Sequence, residues 1–569
     1  SPLPVIDDAA FLRRVTLDVW GVVPTPEQAR QFLSDRHPDR RGRLIERLLE
    51  GPQWADHWVG YWQDVLAENP NIIKPTLNNS GPFRYWIHES FLDNKPIDRF
   101  ATELILMEGS RYLGGPAGFE LATENDVPMA AKARVVAQAF LGIELKCARC
   151  HDDPFRDYRQ RDLFQLAAML GRARQEVPES SSIPGGSEAA KSLIVEVTLQ
   201  PGEKVPPAFA FASLHEPELP KAFLRTKGDL REQLALWITS PHNRRFARVM
   251  ANRIWHFYMG YGLVEPVDDW EDPDPVDSSL LDYLAWELAT HDYDVKHVAR
   301  LILSSQAYQR QAQSFTGPEP SSAQRLAGPA RRRMRAEQLV DSLMAICDKP
   351  FDTGPLTLDS DGALQMKIAL DLGEPTRAWQ FASLANERDR PSLAMPFAQP
   401  FVSLMETFGW RSSRQDPLTV RAELATVLQP AILNNGLVVQ RAVRLSDDSA
   451  LTKLALQVQP LDTLVEQLFL RVLTRRPSAS ERRAFAELLA PGYDHRVKDA
   501  PLVRRKPLPR GLVSWSNHLS SRANEIKLEL QKAVAQGDPP SERLSADWRQ
   551  RMEDAVWTLL NSPEFLFIP

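Results

Sequence analysis

The chain is poor in the residues and patterns that define several large classes of protein. It has three cysteines in 569 residues, so disulfide bonds are not its stabilising device. It has no run of about 18 apolar residues, so we expect no membrane-spanning helix. Its net charge is −6, so the chain lacks the excess of basic residues that would indicate nucleic-acid binding. No internal period of about 20 to 50 residues is visible, which excludes a repeat architecture.

Length and composition favour a large protein with several cores. A length of 569 residues corresponds to about three or four units of domain size. Hydrophobic residues make up 43% of the chain, which is enough for large cores. The sequence opens at Ser1 without an initiator methionine or a signal pattern, so we expect a mature or trimmed sequence.

Two of the three cysteines stand in the run Cys147-Ala148-Arg149-Cys150-His151. C-x-x-C-H is the attachment signature of c-type haem. Two thiols one helical turn apart can each bond a vinyl group of one porphyrin. The adjacent His151 then lies under the iron, and neutral imidazole is a usual proximal ligand. The motif therefore predicts one covalent haem held by Cys147, Cys150 and His151.

A helix is expected to lead into this motif. Asp126 and Pro128 indicate its start. The apolar residues that share one face up to Cys147 are Val136, Phe140 and Ile143.

Half of a zinc site, a thioredoxin-like redox pair and a chance match are the alternatives for the cysteine pair. A zinc site would need a second close pair, and the remaining cysteine is the single Cys347. A redox pair of the thioredoxin type follows a strand, whereas an apolar helix is expected here.

The second axial ligand of the iron would decide its chemistry. A methionine or histidine in that position favours electron transfer, whereas an open position lets the iron bind peroxide, oxygen or another small ligand. His256, which stands in an aromatic run, is the candidate for the distal position, and a buried core histidine is the alternative. Further candidates are Met169, His57 and His88.

Asp152 and Asp153 directly follow the motif and are candidate catalytic residues. A carboxylate near a haem edge can relay protons, which peroxide or oxygen chemistry needs. The alternative role of the pair is helix capping after the motif. Another acidic segment, residues 268–277, could hold calcium through its oxygens, although its spacing fits no EF-hand and it could instead cap the next helix.

The basic run Arg331 to Arg335 contains four arginines and is expected to begin a helix that continues to Cys347. Such a run is commonly a solvated face. Because guanidinium pairs with carboxylate through two hydrogen bonds, the run could instead clamp haem propionates or an anionic substrate.

The periodicity predicts a mainly α, multi-helical fold with a small β-hairpin element near residues 193–215. The segment Ile194 to Leu199 alternates and is β-branched, so we expect a strand there, with a partner in residues 208–214. Capping boxes at Thr25 and Ser478 mark two helix starts. We divide the chain into a helical haem-c-binding domain (1–175), a loop with the small β element (176–222), a helical domain (223–350) and a C-terminal helical domain (351–569).

Six stretches spread over the chain carry a resemblance to a known family. They are Arg13–Asp18, Phe140–Asp152, Asn252–Trp255, Arg331–Arg333, Gln429–Asn434 and Leu560–Leu566. Through them the chain resembles planctomycete proteins of a cytochrome-associated type, made of two adjoining domains of unknown function. The resemblance implies an exported, mostly helical protein with a haem-binding motif, and it implies no reaction. Members usually carry a second histidine where this chain has Asp153, and some carry a Cys-x-Cys near residues 411–414 that is absent here.

From the motif and the resemblance we expect an exported c-type haem protein, most simply an oxidoreductase with a single covalent haem c. Much of the chain lies outside a minimal haem fold, which favours a substrate cleft or a partner surface over a simple electron shuttle. The alternatives are a monohaem electron-transfer partner and a binding module in which haem is structural. We expect a redox partner protein or a small-molecule or carbohydrate substrate, no nucleic acid and no transmembrane segment. The expected location is periplasmic or otherwise extracytoplasmic.

Overall fold

The computed structural model is mainly helical with two small antiparallel strand pairs, which confirms the predicted fold class. It describes residues 2–68, 81–109, 115–122, 128–181, 196–211, 222, 224–270, 277–314, 325–353, 374–381, 396–411, 414, 416–421, 424–504 and 519–569. No helix within these ranges is long and apolar enough to cross a membrane.

Several helices in the first part of the chain begin at side-chain caps. They are α1 (Asp8–Trp20), α2 (Pro26–Ser34), α3 (Arg40–Glu50), α4 (Gln53–Val65), α5 (Gly81–Leu92), α6 (Ile97–Leu106), α7 (Phe119–Ala122), α8 (Pro128–Val136), α9 (Gln160–Gly171), α10 (Leu230–Thr239), α11 (Arg244–Met259), α12 (Ser278–Thr290) and α13 (Val295–Ser304). Thr25 and Gln28 form the predicted capping box of α2. Asp229 caps α10 by accepting hydrogen bonds from two backbone N–H groups.

Several helices in the second part of the chain also begin at side-chain caps. They are α14 (Ala336–Cys347), α15 (Gln399–Thr407), α16 (Leu428–Asn435), α17 (Leu437–Val443), α18 (Ala450–Ala455), α19 (Leu461–Leu473), α20 (Ala479–Leu489), α21 (Ser521–Gln536), α22 (Ala546–Leu560) and α23 (Pro563–Leu566). Ser478 and Glu481 form the predicted capping box of α20.

The buried apolar side chains form two clusters. The first takes nearly all its members from residues 6–308, and the second takes most of its members from residues 334–568. Helix α1 contributes to both, because Phe11 and Val15 belong to the first cluster whereas Leu17 belongs to the second. The first cluster therefore contains helices from both sides of the loop segment 176–222.

Only one strand of the small β element lies inside the expected region, residues 193–215, and neither strand is a predicted one. Gln175–Glu176 (β1) pairs antiparallel with Lys204–Val205 (β2). Residues 196–199 and 208–211 form no strand, and residues 194–195 and 212–214 lie outside the described residues. The alternation of the segment 194–199 was misleading, because strand formation depends on a pairing partner. The segment directly after α9, which is β1, pairs with β2 instead.

The arginine run does not begin a helix, contrary to the prediction. Arg332–Arg333 (β3) pairs antiparallel with Phe567–Ile568 (β4) at the other end of the chain, and α14 starts only at Ala336. This long-range pairing overrides the local helix propensity of arginine.

The helix before the cysteines ends earlier than predicted. Helix α8 continues as a π-helical turn, Ala137–Leu141, and stops at Gly142, whose φ is 61°. Trp270 packs against this glycine, and its backbone N–H donates to the Gly142 carbonyl at 2.7 Å. A left-handed glycine that also accepts a close aromatic neighbour ends the helix before Cys147.

Candidate functional site

Residues 147–151, called the cysteine turn below, form one helical turn of their own. Cys147–Arg149 is a short 3-10 helix. The backbone N–H groups of Cys150 and His151 donate to the Cys147 carbonyl at 3.1 and 3.2 Å. Both thiols are partly exposed and neither is in a disulfide. The turn therefore presents the two thiols and the imidazole with the spacing that the motif requires.

The imidazole of His151 is oriented by the residue after it. Its Nδ1 lies 2.7 Å from the backbone carbonyl oxygen of Asp152. A carbonyl oxygen only accepts hydrogen bonds, so Nδ1 carries the proton and Nε2 keeps the lone pair. Metal-ligating histidines commonly show this arrangement, with one nitrogen donating to a carbonyl and the other free to bind.

Both carboxylates after the turn make local hydrogen bonds. Asp152 accepts from the backbone N–H of Gln160, the first residue of α9, at 2.7 Å and from the Thr198 hydroxyl at 2.8 Å. Asp153 accepts from the backbone N–H of Phe155 at 2.9 Å. The contact of Asp152 with Gln160 corresponds to the capping role, whereas Asp153 accepts within the non-helical segment that follows the turn. The proton-relay role of the pair stays a prediction.

Burial and nearby charges of both signs act on the Cys147 thiol. Burial raises the pKa of the Cys147 thiol and the Asp153 carboxylate raises it further, whereas Arg156 acts in the opposite direction. The neighbouring Phe155 is 85% exposed, more than any other aromatic side chain among the described residues. The turn thus carries a protonated Cys147 thiol, and an exposed aromatic ring follows four residues after His151.

A second candidate site is a cavity of about 100 Å³ between the two hydrophobic clusters, called the arginine pocket below. Its lining residues are Asp18, His57, Tyr61, Asp64, His256, Phe257, Gly260, Arg332, Arg333, Met334, Arg335, Gln338, Phe408, Thr419, Val420, Arg421 and Ile568. The structure therefore groups His256, the distal candidate, with His57 and the arginine run. No residue of the cysteine turn is among them, and the distal role of His256 stays a prediction.

The arginine run is divided between the surface and this pocket. Arg331 is exposed, whereas the other three arginines of the run line the pocket. Arg332 donates to a carboxylate oxygen of Asp18 at 3.0 Å and to the carbonyl of Phe257 at 3.0 Å. A solvated face therefore describes Arg331 alone.

Paired charges hold the opposite wall of the pocket. Arg421 donates its two terminal nitrogens to Glu337 at 2.7 and 2.8 Å and its Nε to Asp64. Arg414 donates to the second oxygen of Asp64 at 2.7 Å. Burial alone would raise the pKa of Asp64, but the guanidinium groups of Arg421 and Arg414 outweigh it and lower that pKa.

The remaining ligand candidates lie in other environments. Met169 is buried within α9. The Nε2 of His88 lies 3.1 Å from a carboxylate oxygen of Asp56, and its ring stacks on Trp379 with centroids 4.8 Å apart.

The acidic segment 268–277 is used for ion pairing and capping where it is described. Asp268 accepts from Arg253 at 2.8 Å, and Asp277 caps α12 by accepting from the backbone N–H of Leu280 at 3.0 Å. Residues 271–276 lie outside the described residues. The capping role is thus present at Asp277, and calcium binding stays a prediction.

Sequence reasoning missed a cluster of possible metal ligands on α12 and α13. The ligand atoms of Glu287, His291 and His297 lie within 4.8 Å of one another. The spacing of Glu287 and His291, one helical turn apart, was the available signal. His297 donates to Glu287 at 2.8 Å, and the two imidazoles stack with centroids 3.8 Å apart. The Nδ1 of His291 lies 2.9 Å from the backbone carbonyl oxygen of Glu287, so Glu287 takes part in hydrogen bonds with both histidines.

The fold and the two sites define a mainly α protein with two hydrophobic clusters and a cysteine–histidine turn. Residues 1–175 match PSCyt2, "Protein of unknown function (DUF1549)", and residues 230–489 match PSD1, "Protein of unknown function (DUF1553)". The chain contains both domains in the order of the planctomycete-type two-domain proteins, which confirms the resemblance seen in the sequence. Comparison with curated proteins and with solved structures found no match.

The two matched domains contribute differently to the two sites. The cysteine turn lies wholly within the first matched domain. The arginine pocket takes Asp18 and His57 from the first and His256 and Arg335 from the second. The pocket is therefore a site between the two domains.

Proposed function

We propose that the chain is an exported oxidoreductase that carries a single haem c through Cys147 and Cys150, with His151 as the proximal ligand. The observation that carries the proposal is the hydrogen bond of His151. Because Nδ1 donates to the Asp152 carbonyl at 2.7 Å, Nε2 is left as the free nitrogen that an iron would need.

The residues of the turn fit this group. Cys147 and Cys150 are both accessible, so each thiol could form one thioether bond. The exposed ring of Phe155 provides apolar surface beside them. When bound, the haem would supply electron transfer or small-ligand chemistry at its iron.

The assignment as an oxidoreductase depends on the rest of the chain. Asp152 and Asp153 lie next to the proposed ligand, where carboxylates could move protons during turnover. Two matched domains of unknown function leave far more structure than a simple carrier requires. If the protein is only an electron-transfer partner, or if the haem is structural, the ligand-binding measurements below will distinguish these cases.

Haem staining after denaturing electrophoresis tests the attachment. From a host with cytochrome c maturation, we expect a stained band for the wild type and no stain for the double variant Cys147→Ser/Cys150→Ser. Cys347→Ser is the matched control, because this thiol is buried in the second hydrophobic cluster. An unstained wild type, or a stained double variant, would contradict the proposal.

Ligand binding separates a catalytic iron from an electron carrier. We expect fast, stoichiometric binding of cyanide to the oxidised protein and of carbon monoxide to the reduced protein. Absence of binding with a low-spin spectrum that shows the methionine–iron band would favour electron transfer. Absence of both ligand binding and electron exchange with redox partners would favour a structural haem.

Export is tested by fractionating cells that produce the native gene product. Covalent attachment to C-x-x-C-H takes place outside the cytoplasm, so the haem-stained protein should be extracytoplasmic. A haem-free product in the cytoplasm would oppose this part of the proposal.

A further inference from the structure

The guanidinium of Arg335 faces the arginine pocket without a counter-ion among the described residues. Among the described residues, no hydrogen bond or ion pair is made by the guanidinium of Arg335. It is held by aromatic rings instead, 4.7 Å from the centroid of Phe257 and 5.7 Å from that of Tyr61. Burial lowers the pKa of Arg335 and the guanidinium of Arg421 lowers it further, whereas the Glu337 carboxylate, which accepts from Arg421, acts in the opposite direction. A desolvated cation of this kind is costly unless an anion joins it.

The carboxylates of the pocket do not supply that anion. Asp18 accepts hydrogen bonds from Arg332 at 3.0 Å and from the Tyr308 hydroxyl at 2.7 Å. Asp64 is shared by Arg414 and Arg421. Four arginines and two aspartates line the cavity, so its walls carry a net formal charge of +2 when both histidines are neutral.

Two neutral imidazoles add hydrogen-bonding capacity that the described residues leave unused. The Nδ1 of His256 is buried and has no hydrogen-bond partner, and the residue is 8% exposed. His57 is partly buried and makes no hydrogen bond with the described residues. The Nε of Arg332 is a second buried polar atom of the pocket lining without a hydrogen-bond partner, and a bound ligand is one reason for such atoms.

The volume limits the ligand. A cavity of about 100 Å³ is several times the space that one water molecule needs and suits a group of a few heavy atoms. The planar fork of arginine matches carboxylate or phosphate oxygens through two parallel hydrogen bonds.

We propose that the arginine pocket binds a small oxyanion, a carboxylate or a tetrahedral sulfate or phosphate group, with Arg335 as its principal cation and His57 and His256 as neutral partners. The site is independent of the cysteine turn and does not require haem.

Isothermal titration calorimetry of the full chain in a chloride buffer tests the proposal with four probes: acetate, glucuronate, sulfate and phosphate. We expect one-to-one binding of at least one probe, and the class that binds tells carboxylate from tetrahedral oxyanion. Arg335→Gln should weaken binding about 10- to 100-fold, the effect of losing a charged hydrogen-bonding partner. Arg331→Gln is the matched control, because it removes the same charge from the same run at an exposed position.

The outcomes are separable. No heat from any probe at about 10 mM would overturn the proposal, since weaker binding has no specific meaning at such a site. Equal loss in Arg331→Gln and Arg335→Gln would also overturn it, because the effect would then be general charge. If Arg335→Gln does not fold by circular dichroism, Arg335→Lys keeps the charge without the fork, and wild-type affinity in that variant would contradict the assigned role.

Discussion

The cysteine turn and the arginine pocket differ in how far along the chain their contacts reach. Directly after the turn, Asp152 bonds to Gln160 and to Thr198, 8 and 46 positions away. In the pocket, Arg332 reaches Asp18 across 314 positions and Arg414 reaches Asp64 across 350. The turn also lies near the surface, whereas the pocket lies between the two hydrophobic clusters.

This difference in contact range predicts how strongly substitutions at each site change the stability of the protein. A site made of neighbouring residues keeps its shape when a distant part of the protein loosens, because that shape depends on few long-range contacts. A site assembled from distant segments depends on the packing that brings them together, so its residues support both binding and the junction of the clusters. Substitutions in the pocket should therefore lower stability more than substitutions in the turn.

The largest expected effect is that of Asp64→Asn. Removing this charge leaves Arg414 and Arg421 deep in the protein with one carboxylate partner fewer. Breaking a buried ion pair costs about 3 to 5 kcal/mol, and we expect about 3 kcal/mol because Arg421 keeps Glu337. Chemical denaturation measures it. The matched control is Asp416→Asn, a half-exposed pair with Arg134 that should cost less than about 1 kcal/mol. Equal costs for the two variants would remove the distinction between pocket and surface.

The second prediction concerns acid. Burial, with the Arg335 guanidinium nearby, lowers the pKa of His256 to about 3, below its ordinary value of 6.5. The unfolded chain therefore binds a proton between these values that the folded protein does not. Stability from the neutral histidine is complete above pH 6.5 and is lost progressively as the pH falls towards 3.

Variants at position 256 measure this loss. We expect the unfolding free energy of the wild type to fall by about 1.4 kcal/mol per pH unit more steeply than that of His256→Gln in this window. Denaturation curves at several pH values give both slopes. Parallel curves would show that His256 is solvated and not part of a buried wall.

A smaller effect is expected in the turn from Asp152→Ala. The variant loses the acceptor for the backbone N–H at the start of α9 and for the Thr198 hydroxyl. Loss of a capping acceptor costs about 1 kcal/mol. Thermal unfolding measures the change, and Asp152→Asn should recover part of it because the amide oxygen still accepts. A cost as large as that of Asp64→Asn would mean that the turn is not a local structure.

The smallest effect is expected from Phe155→Ser. The ring is 85% exposed, so its removal should change stability by less than about 0.5 kcal/mol. If the turn holds haem, the same variant should alter the absorption spectrum while leaving the melting temperature unchanged. A clear drop in melting temperature of the haem-free protein would show that Phe155 packs against a part of the protein itself.

Features that depend on neighbouring residues were predicted correctly. The capping boxes at Thr25 and Ser478 are formed as expected, because a cap needs only residues two or three positions away. Features that need a distant partner were predicted poorly. The strand expected at Ile194 to Leu199 is replaced by pairing of β1 with β2.

Candidate site residues follow the same division. Cys147, Cys150 and His151 lie within five consecutive residues, so the motif alone predicted them as one group. Asp18 and Asp64 were missed as pocket residues, because each occurs within an ordinary helix with no nearby signal. The arginine run was recognised, but which of its members meets solvent and which faces a cavity was not visible in the sequence.

The sequence by itself determined a mainly α protein with capped helices, a family resemblance along its length and one compact cysteine–histidine motif. These properties come from short-range chemistry, which a local pattern contains. Only the tertiary structure decided that Arg332–Arg333 forms a strand with Phe567–Ile568, and that Arg335 meets His57 and His256 at one cavity. Packing of the two hydrophobic clusters brings these residues together, and the free energy of that packing belongs to contacts between segments hundreds of positions apart.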